Sequence, residues 1–256
     1  MEVHHHSHTT DPDSHRGRKK WSHYFWEFFM LFLAVSAGFL VENQREHYVE
    51  HKRAKVYAAN LYKELKGDTA ELHHLISWTL TLSKRYDTLG MLYTANPEGT
   101  PNGKLYYYSL VLGMTGYFSS NSSTLDQLKS SGNLRILTTA VALKISNYDR
   151  QLRMLGSNYI LFKTEFETIN GLRFKIFDGS ISADLMSHSR DENFRDSVFQ
   201  LEPPLINDDP RLMKELMGWI RMEARWWRAN IKEDLVPLSK TASELISALK
   251  KEYHLE

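Results

Sequence analysis

The sequence has no cysteine in 256 residues. That absence excludes disulfides, thiolate metal sites and a cysteine nucleophile. It leaves the compartment open, because a large helical domain needs no disulfide. A charge excess is missing too: 32 Lys and Arg face 31 Asp and Glu, for a formal net charge of +1. A general nucleic-acid binder needs a basic surface, so no nucleic-acid partner is expected. There is no convincing alternating strand pattern and no internal repeat. G-x-G-x-x-G, the P-loop and G-x-S-x-G are absent, so neither an enzyme nor a cofactor is expected. What is present is ordinary for a folded core with a wet surface: 42% hydrophobic and 25% charged residues. The length suits one medium domain, or one domain plus an appendage.

Residues 1–20 show no apolar periodicity and read as a disordered polar tail. His4, His5, His6, His8 and His15 give it transition-metal affinity on composition alone, and a plain flexible tail is the simpler reading. Residues 21–41 follow as WSHYFWEFFMLFLAVSAGFLV. Twenty-one residues match the ~20 needed to cross ~30 Å of hydrocarbon. Trp21, Tyr24 and Trp26 sit at one end, where amphipathic rings favour the interface. Arg16, Arg18, Lys19 and Lys20 crowd the N-terminal edge, whereas the other edge opens with Glu42, Asn43 and Gln44. The expectation is a single-pass signal-anchor in a bacterial inner membrane, with its N-terminus cytoplasmic and its C-terminal domain periplasmic. A cleaved signal peptide competes, with Val35-Ser36-Ala37 as its cleavage site. Against it stand the long basic N-terminal region, Glu27 beside the apolar core and the apolar run continuing through Val41. A buried soluble-core helix is the third reading.

Beyond the span the pattern is helical. Leu61, Leu65, Leu72, Leu75, Leu82, Tyr86 and Leu89 recur at threes, fours and sevens, with Asp68 and Thr79 on the same stripe. This helix is expected to continue unbroken from the span through a juxtamembrane stretch at 42–60. Residues 96–103, four of them Pro or Gly, stop it. A second apolar stretch runs from Leu105 to Phe118. Ser123-Thr124-Leu125-Asp126 reads as a capping box opening a short helix, which Gly132 ends. Val141, Ile145, Tyr148, Leu152, Leu155, Tyr159, Phe162, Phe166 and Ile169 alternate by fours and threes without a miss, which predicts a helix of ~30 residues with Tyr159 and Phe162 buried. Residues 178–210 are polar and irregular, with one short helix near 192–199. Asp209-Pro210 opens the last helix, which Pro237 can kink. The fold class expected is all-α: an N-terminal transmembrane helix followed by an antiparallel bundle of four to five helices over 61–252.

Two segments carry a resemblance. WEFFMLFLAVSAGFLVENQRE, from Trp26, has an acid at the start of the span and a polar exit; STLDQLKSSGNLRIL, from Ser123, places L-K-S-S-G-N-L after small residues. Together they resemble an uncharacterised family of bacterial single-span membrane proteins, over most of the chain from Tyr24. The resemblance implies a membrane location and a helical exported domain. It implies no activity, substrate or site residue.

Several constellations invite a chemical reading. His47, Glu50 and His51 match H-x-x-E-H, a zinc-protease pattern that puts both histidines on one helical face. They begin six residues after the span, with no third ligand nominated, so a charged juxtamembrane helix is expected instead. His73 and His74 point about 100° apart and do not share a metal easily. Trp219, Arg221, Arg225, Trp226, Trp227 and Arg228 read as core tryptophans rimmed by arginines rather than an anion surface; Tyr106, Tyr107 and Tyr108 read the same way. Glu27 stands out, because an acid inside a span is a functional hypothesis. It lies two turns before Ala34, which forms a small-xxx-small pair with Gly38. These three are the candidates for helix association, making a homodimer through the span a possible assembly beside the lipid bilayer and an unknown protein partner. The function expected is membrane-anchored binding or scaffolding. A sensory or ligand-binding input domain acting through a partner is the alternative, and a metallohydrolase a remote third.

Overall fold

The structure is a computed structural model. It describes the backbone of residues 16–256 apart from Thr115, and side chains from Trp21 onward apart from Thr115 and Leu161. The expected polar tail thus lies outside the described residues up to position 15. The chain is all-α, with no strand among the described residues. Contacts divide it into residues up to Ala54 and residues from Lys55 onward.

The first unit is a stretch of helix α1 (Arg16–Ala95). Over residues 21–41 every side chain is exposed except Ser36, which is half-buried. This is the one helix, among the described residues, long and apolar enough to cross a membrane.

The second unit begins with residues 55–95 of α1, whose leucine stripe is buried as its spacing demands, Asp68 and Thr79 included. α1 stops at Ala95. Thr100 Oγ1 donates to the carbonyls of Leu92 (3.1 Å) and Asn96 (2.7 Å), satisfying groups the helix end leaves open. α2 (Asn102–Ser109) follows. Gly103 is required there, because a Cβ would collide with the carbonyl oxygens of Val198 and Leu201.

The chain next drops along α1 as an irregular segment, held by three acids at i, i+4 and i+7. Glu71 accepts the Ser119 N–H at 3.4 Å. Asp68 accepts the Ser120 hydroxyl (2.6 Å), the Asn121 N–H (2.8 Å) and the Tyr148 hydroxyl (2.7 Å). Glu64 accepts the Thr124 N–H at 3.1 Å and its hydroxyl at 2.7 Å, capping α3 (Ser123–Ser130) from another helix. The expected capping box is displaced by this arrangement. Ser122 is the N-cap, its hydroxyl bonds Asp126 (2.7 Å), and the helix's open N–H goes to Glu64. Gly132 takes the left-handed conformation foreseen for it, φ 67°.

α4 (Thr139–Ile176) carries the long seam. Tyr159 is buried, but Phe162 is only half-buried. The correction has a local cause: Phe162 reaches Trp226, itself half-buried, with ring centroids 3.6 Å apart, so the pair sits at the rim of the α4–α7 interface. Within the stretch read as irregular, α5 (Gly179–Ser187) is an additional helix, opened by Asp178, whose carboxylate accepts the N–H groups of Ser180 and Ile181. α6 (Phe194–Phe199) is the short helix expected there. α7 (Pro210–Asn230) starts as read, with Asp209 accepting the Arg211 N–H. Pro237 does not break the final rod. Residues Ile231–Leu235 widen into a π turn, and α8 (Val236–Tyr253) continues. A widened turn relieves the clash between a proline ring and the preceding carbonyls.

Packing defines a bundle of long helices with short ones laid against it. α4 pairs antiparallel with α7 and α8, as Phe166–Trp227 and Lys144–Glu244 show. The Ser83 hydroxyl bonds the Ala224 carbonyl at 3.1 Å, tying α1 to α7. α1 and α4 run in the same sense, since Asp68 meets Tyr148 and Tyr57 meets Asn133, just before α4. The descending irregular segment makes that parallel pair possible.

Candidate functional site

A cleft of about 640 Å³ opens between α1, α2 and the α5–α6 connection. Its size falls within the ~300–1,000 Å³ of small-molecule sites. α1 contributes Trp78, Thr81, Leu82 and Arg85, at i, i+3, i+4 and i+7, so one helical face supplies the wall. Tyr107 of α2 and Phe194 of α6 add rings. Arg85 donates to the Tyr107 hydroxyl at 3.2 Å, and its guanidinium carbon lies 5.1 Å from the centre of that ring. Tyr107 is fixed in turn by edge contacts with Tyr108 (5.1 Å) and Phe199 (5.2 Å). Of the other charges lining the cleft, Arg195 pairs with Asp196 at 2.9 Å, and Asp191 Oδ2 lies 3.1 Å from His188 Nδ1, an ion pair only when that ring is protonated. Among the described residues, Arg85 is the lining cation with no carboxylate partner.

Deeper in the same unit lies a buried carboxyl. Glu223 of α7 is wholly inaccessible, and neither of its oxygens has a hydrogen-bond partner among the described residues. Burial pushes it up to about 8 from an ordinary 4.5, and the charge of Glu165 on α4 adds to the effect. Burial raises Glu165 as well. Tyr86 of α1 is raised far above its usual range, by burial first and by the Glu223 charge after the backbone bond from Gly113, which acts the other way. Thr79 Oγ1 and Trp227 Nε1 are also buried without partners. An unpaired carboxylate in such a place is costly, so the neutral acid is the form this core accepts.

Glu27 pairs with His23 one turn back, at 3.2 Å, both side chains exposed. Ala34 and Gly38 are exposed on the same helix, with open space around Gly38. His47 and His51 are exposed on the helix surface, and no group of three or more His, Cys, Asp or Glu among the described residues is placed to hold a metal. His73 and His74 are exposed on α1. Trp227 is fully buried, with Arg221, Arg225 and Arg228 at the surface. Arg228 pairs with Asp87 and reaches the Ser83 hydroxyl at 3.2 Å. Tyr106 and Tyr107 are buried; Tyr106 Oη donates to the Pro204 carbonyl and accepts the Asp178 N–H, each at 2.9 Å.

Two features were not read from the sequence. The cleft draws on loops of α5 and α6, whose positions no local pattern encodes. Glu223 did leave a signal: it lies three residues after Ile220 and four before Trp227, on the buried stripe itself.

No family model, curated protein or solved structure matches the chain. What stands from the resemblance noted above is its coarse form, an apolar N-terminal helix followed by a helical bundle.

Proposed function

We propose that the protein is a single-span, membrane-anchored binding protein of a bacterial inner membrane, with residues 1–20 on the cytoplasmic side and the bundle on the other. One observation carries this reading. From 21 to 41 an apolar helix is exposed on all sides, with Phe28, Phe32 and Phe39 each more than half accessible, while the apolar stripes beyond Lys55 are buried. So large an uncovered apolar surface calls for a non-aqueous neighbour, and lipid fits its length. The basic group at 16–20 supports the orientation. Glu27, Ala34 and Gly38 are the residues through which two such helices would associate. No reaction forms part of this proposal. A scaffolding role and a sensory input role differ in whether the bundle takes a small ligand, and the cleft beside Arg85 favours the second as a refinement of the first.

Alkaline carbonate extraction of membranes containing the full chain tests the anchor. The protein is expected in the pellet; release into the supernatant overturns the reading.

A further inference from the structure

We propose that the cleft beside Arg85 is a binding site for a small aromatic monocarboxylate, its carboxylate on the Arg85 guanidinium and its flat apolar body between Trp78 and the rings of α2 and α6. The inference rests on the reading of the bundle as a binding domain.

Charge sets the head group. Arg195 is matched by Asp196, and Asp191 lies beside His188, so among the described residues Arg85 is the lining cation that has no carboxylate partner. A carboxylate would give the Arg85 guanidinium the partner it lacks. A phosphate monoester, near −2 at neutral pH, would bring a second negative charge beside Asp191 and Asp196, both of which line the cleft. Geometry agrees. A guanidinium carries five N–H donors in a planar fork that fits a carboxylate edge-on. Arg85 spends one donor on the Tyr107 hydroxyl, and the Tyr107 ring beside it limits how the fork can turn. Arg85 is half-buried, so an ion pair there is screened less than on open surface.

The walls set the body. Trp78 and Met186 are large apolar side chains left 38% and 37% accessible, and both line the cleft. Leu82 and Val111 close it with buried surface, and Met114 is half-buried. Indole, phenol and phenyl rings beside methionine sulfurs suit a flat π-system, which stacks and makes sulfur contacts.

The test uses the full chain in lipid nanodiscs and equilibrium dialysis of 2-naphthoate against it, with empty nanodiscs as the baseline. Wild type is expected to show saturable binding that neutral 2-naphthamide does not displace and that 2-naphthyl phosphate displaces at least tenfold less well than unlabelled naphthoate. Arg85→Met keeps an apolar stem against Tyr107 and removes the charge. It is expected to weaken binding at least tenfold with an unchanged melting temperature, and Arg85→Lys, which loses the fork, to fall between. No saturable binding by wild type, equal binding by Arg85→Met, displacement by the amide, or displacement by the phosphate as effective as by naphthoate overturns the inference. The amide and phosphate arms use wild type alone, so a variant that fails to fold leaves the test intact. Retention of the protein in the carbonate pellet is scored separately, so loss of naphthoate binding with anchoring intact counts against the site and not against the anchor.

Discussion

Replacing Glu223 by glutamine probes the core of the bundle through its response to pH. The carboxyl is inaccessible, unpartnered and pushed up to about 8 from 4.5, by burial first and then by Glu165. In the unfolded chain it titrates near its ordinary value. Between those two limits the folded state holds a proton that the unfolded state has released. Stability therefore falls as pH rises from about 4.5 to about 8, and beyond that the whole contribution is lost. At about 1.4 kcal/mol per pH unit, the full interval corresponds to roughly 5 kcal/mol. Water entry and local relaxation lower what a real core delivers, so we expect about 2–4 kcal/mol. Glutamine has nearly the same shape and no titration. The assay is urea unfolding of the full chain in detergent micelles at pH 5, 6, 7, 8 and 9, followed by tryptophan fluorescence. Wild type is expected to lose about 2–4 kcal/mol relative to Glu223→Gln between pH 5 and 9. Histidines and surface acids titrate in both proteins and cancel in the difference. Two parallel stability curves, within ~0.5 kcal/mol at every pH, would refute the reasoning, since that is the scale of a surface substitution.

Two further outcomes follow from the packing and a third from the proposed association of the span. Asp68→Ala strips the acceptor from Ser120, Asn121 and Tyr148, so unfolding of the full chain should become easier by about 3 kcal/mol, and proteolysis should move to the segment around residue 120. Phe162→Ala should cost about 1–2 kcal/mol in the same assay, less than the ~3–5 of a fully packed phenylalanine, because the ring sits at a rim with Trp226. In an in-membrane dimerisation reporter carrying residues 18–44, Gly38→Ile should lower the signal well below wild type while Phe32→Ile leaves it unchanged; equal signals would mean that the segment only anchors.

Much of the architecture was legible because it is periodic. The stripes of α1 and α4 follow a spacing that only a helix satisfies, and their residues are buried almost without exception. Stops and starts were legible where the chemistry is local, as at Asn96–Gly103, Gly132 and Asp209-Pro210. Most of the failures share a cause: partners distant in sequence. The capping of α3 was read from its own residues, whereas the acceptor is Glu64, 60 positions away. Phe162 was assigned to the core because the seam counts positions and not the width of the neighbouring helix. α5 was passed over because its polar surroundings hid a short helix with an Asp178 cap. The cleft has no signature at all, since Arg85, Tyr107 and Phe194 meet only after the chain folds back. Glu223 was visible as an acid on an apolar stripe, and its meaning depended on the absence of a partner, which only three dimensions reveal.

The absence of native cysteine makes topology directly measurable, with Ser7→Cys and Ser187→Cys introduced one at a time and labelled by a membrane-impermeant maleimide. Ser187 is exposed in α5, well within the bundle, and Ser7 lies before the basic group. In intact spheroplasts the account predicts labelling of Ser187→Cys and none of Ser7→Cys until the membrane is permeabilised. Labelling of Ser7→Cys alone would reverse the orientation, and protection of both until permeabilisation would contradict a chain that spans the membrane.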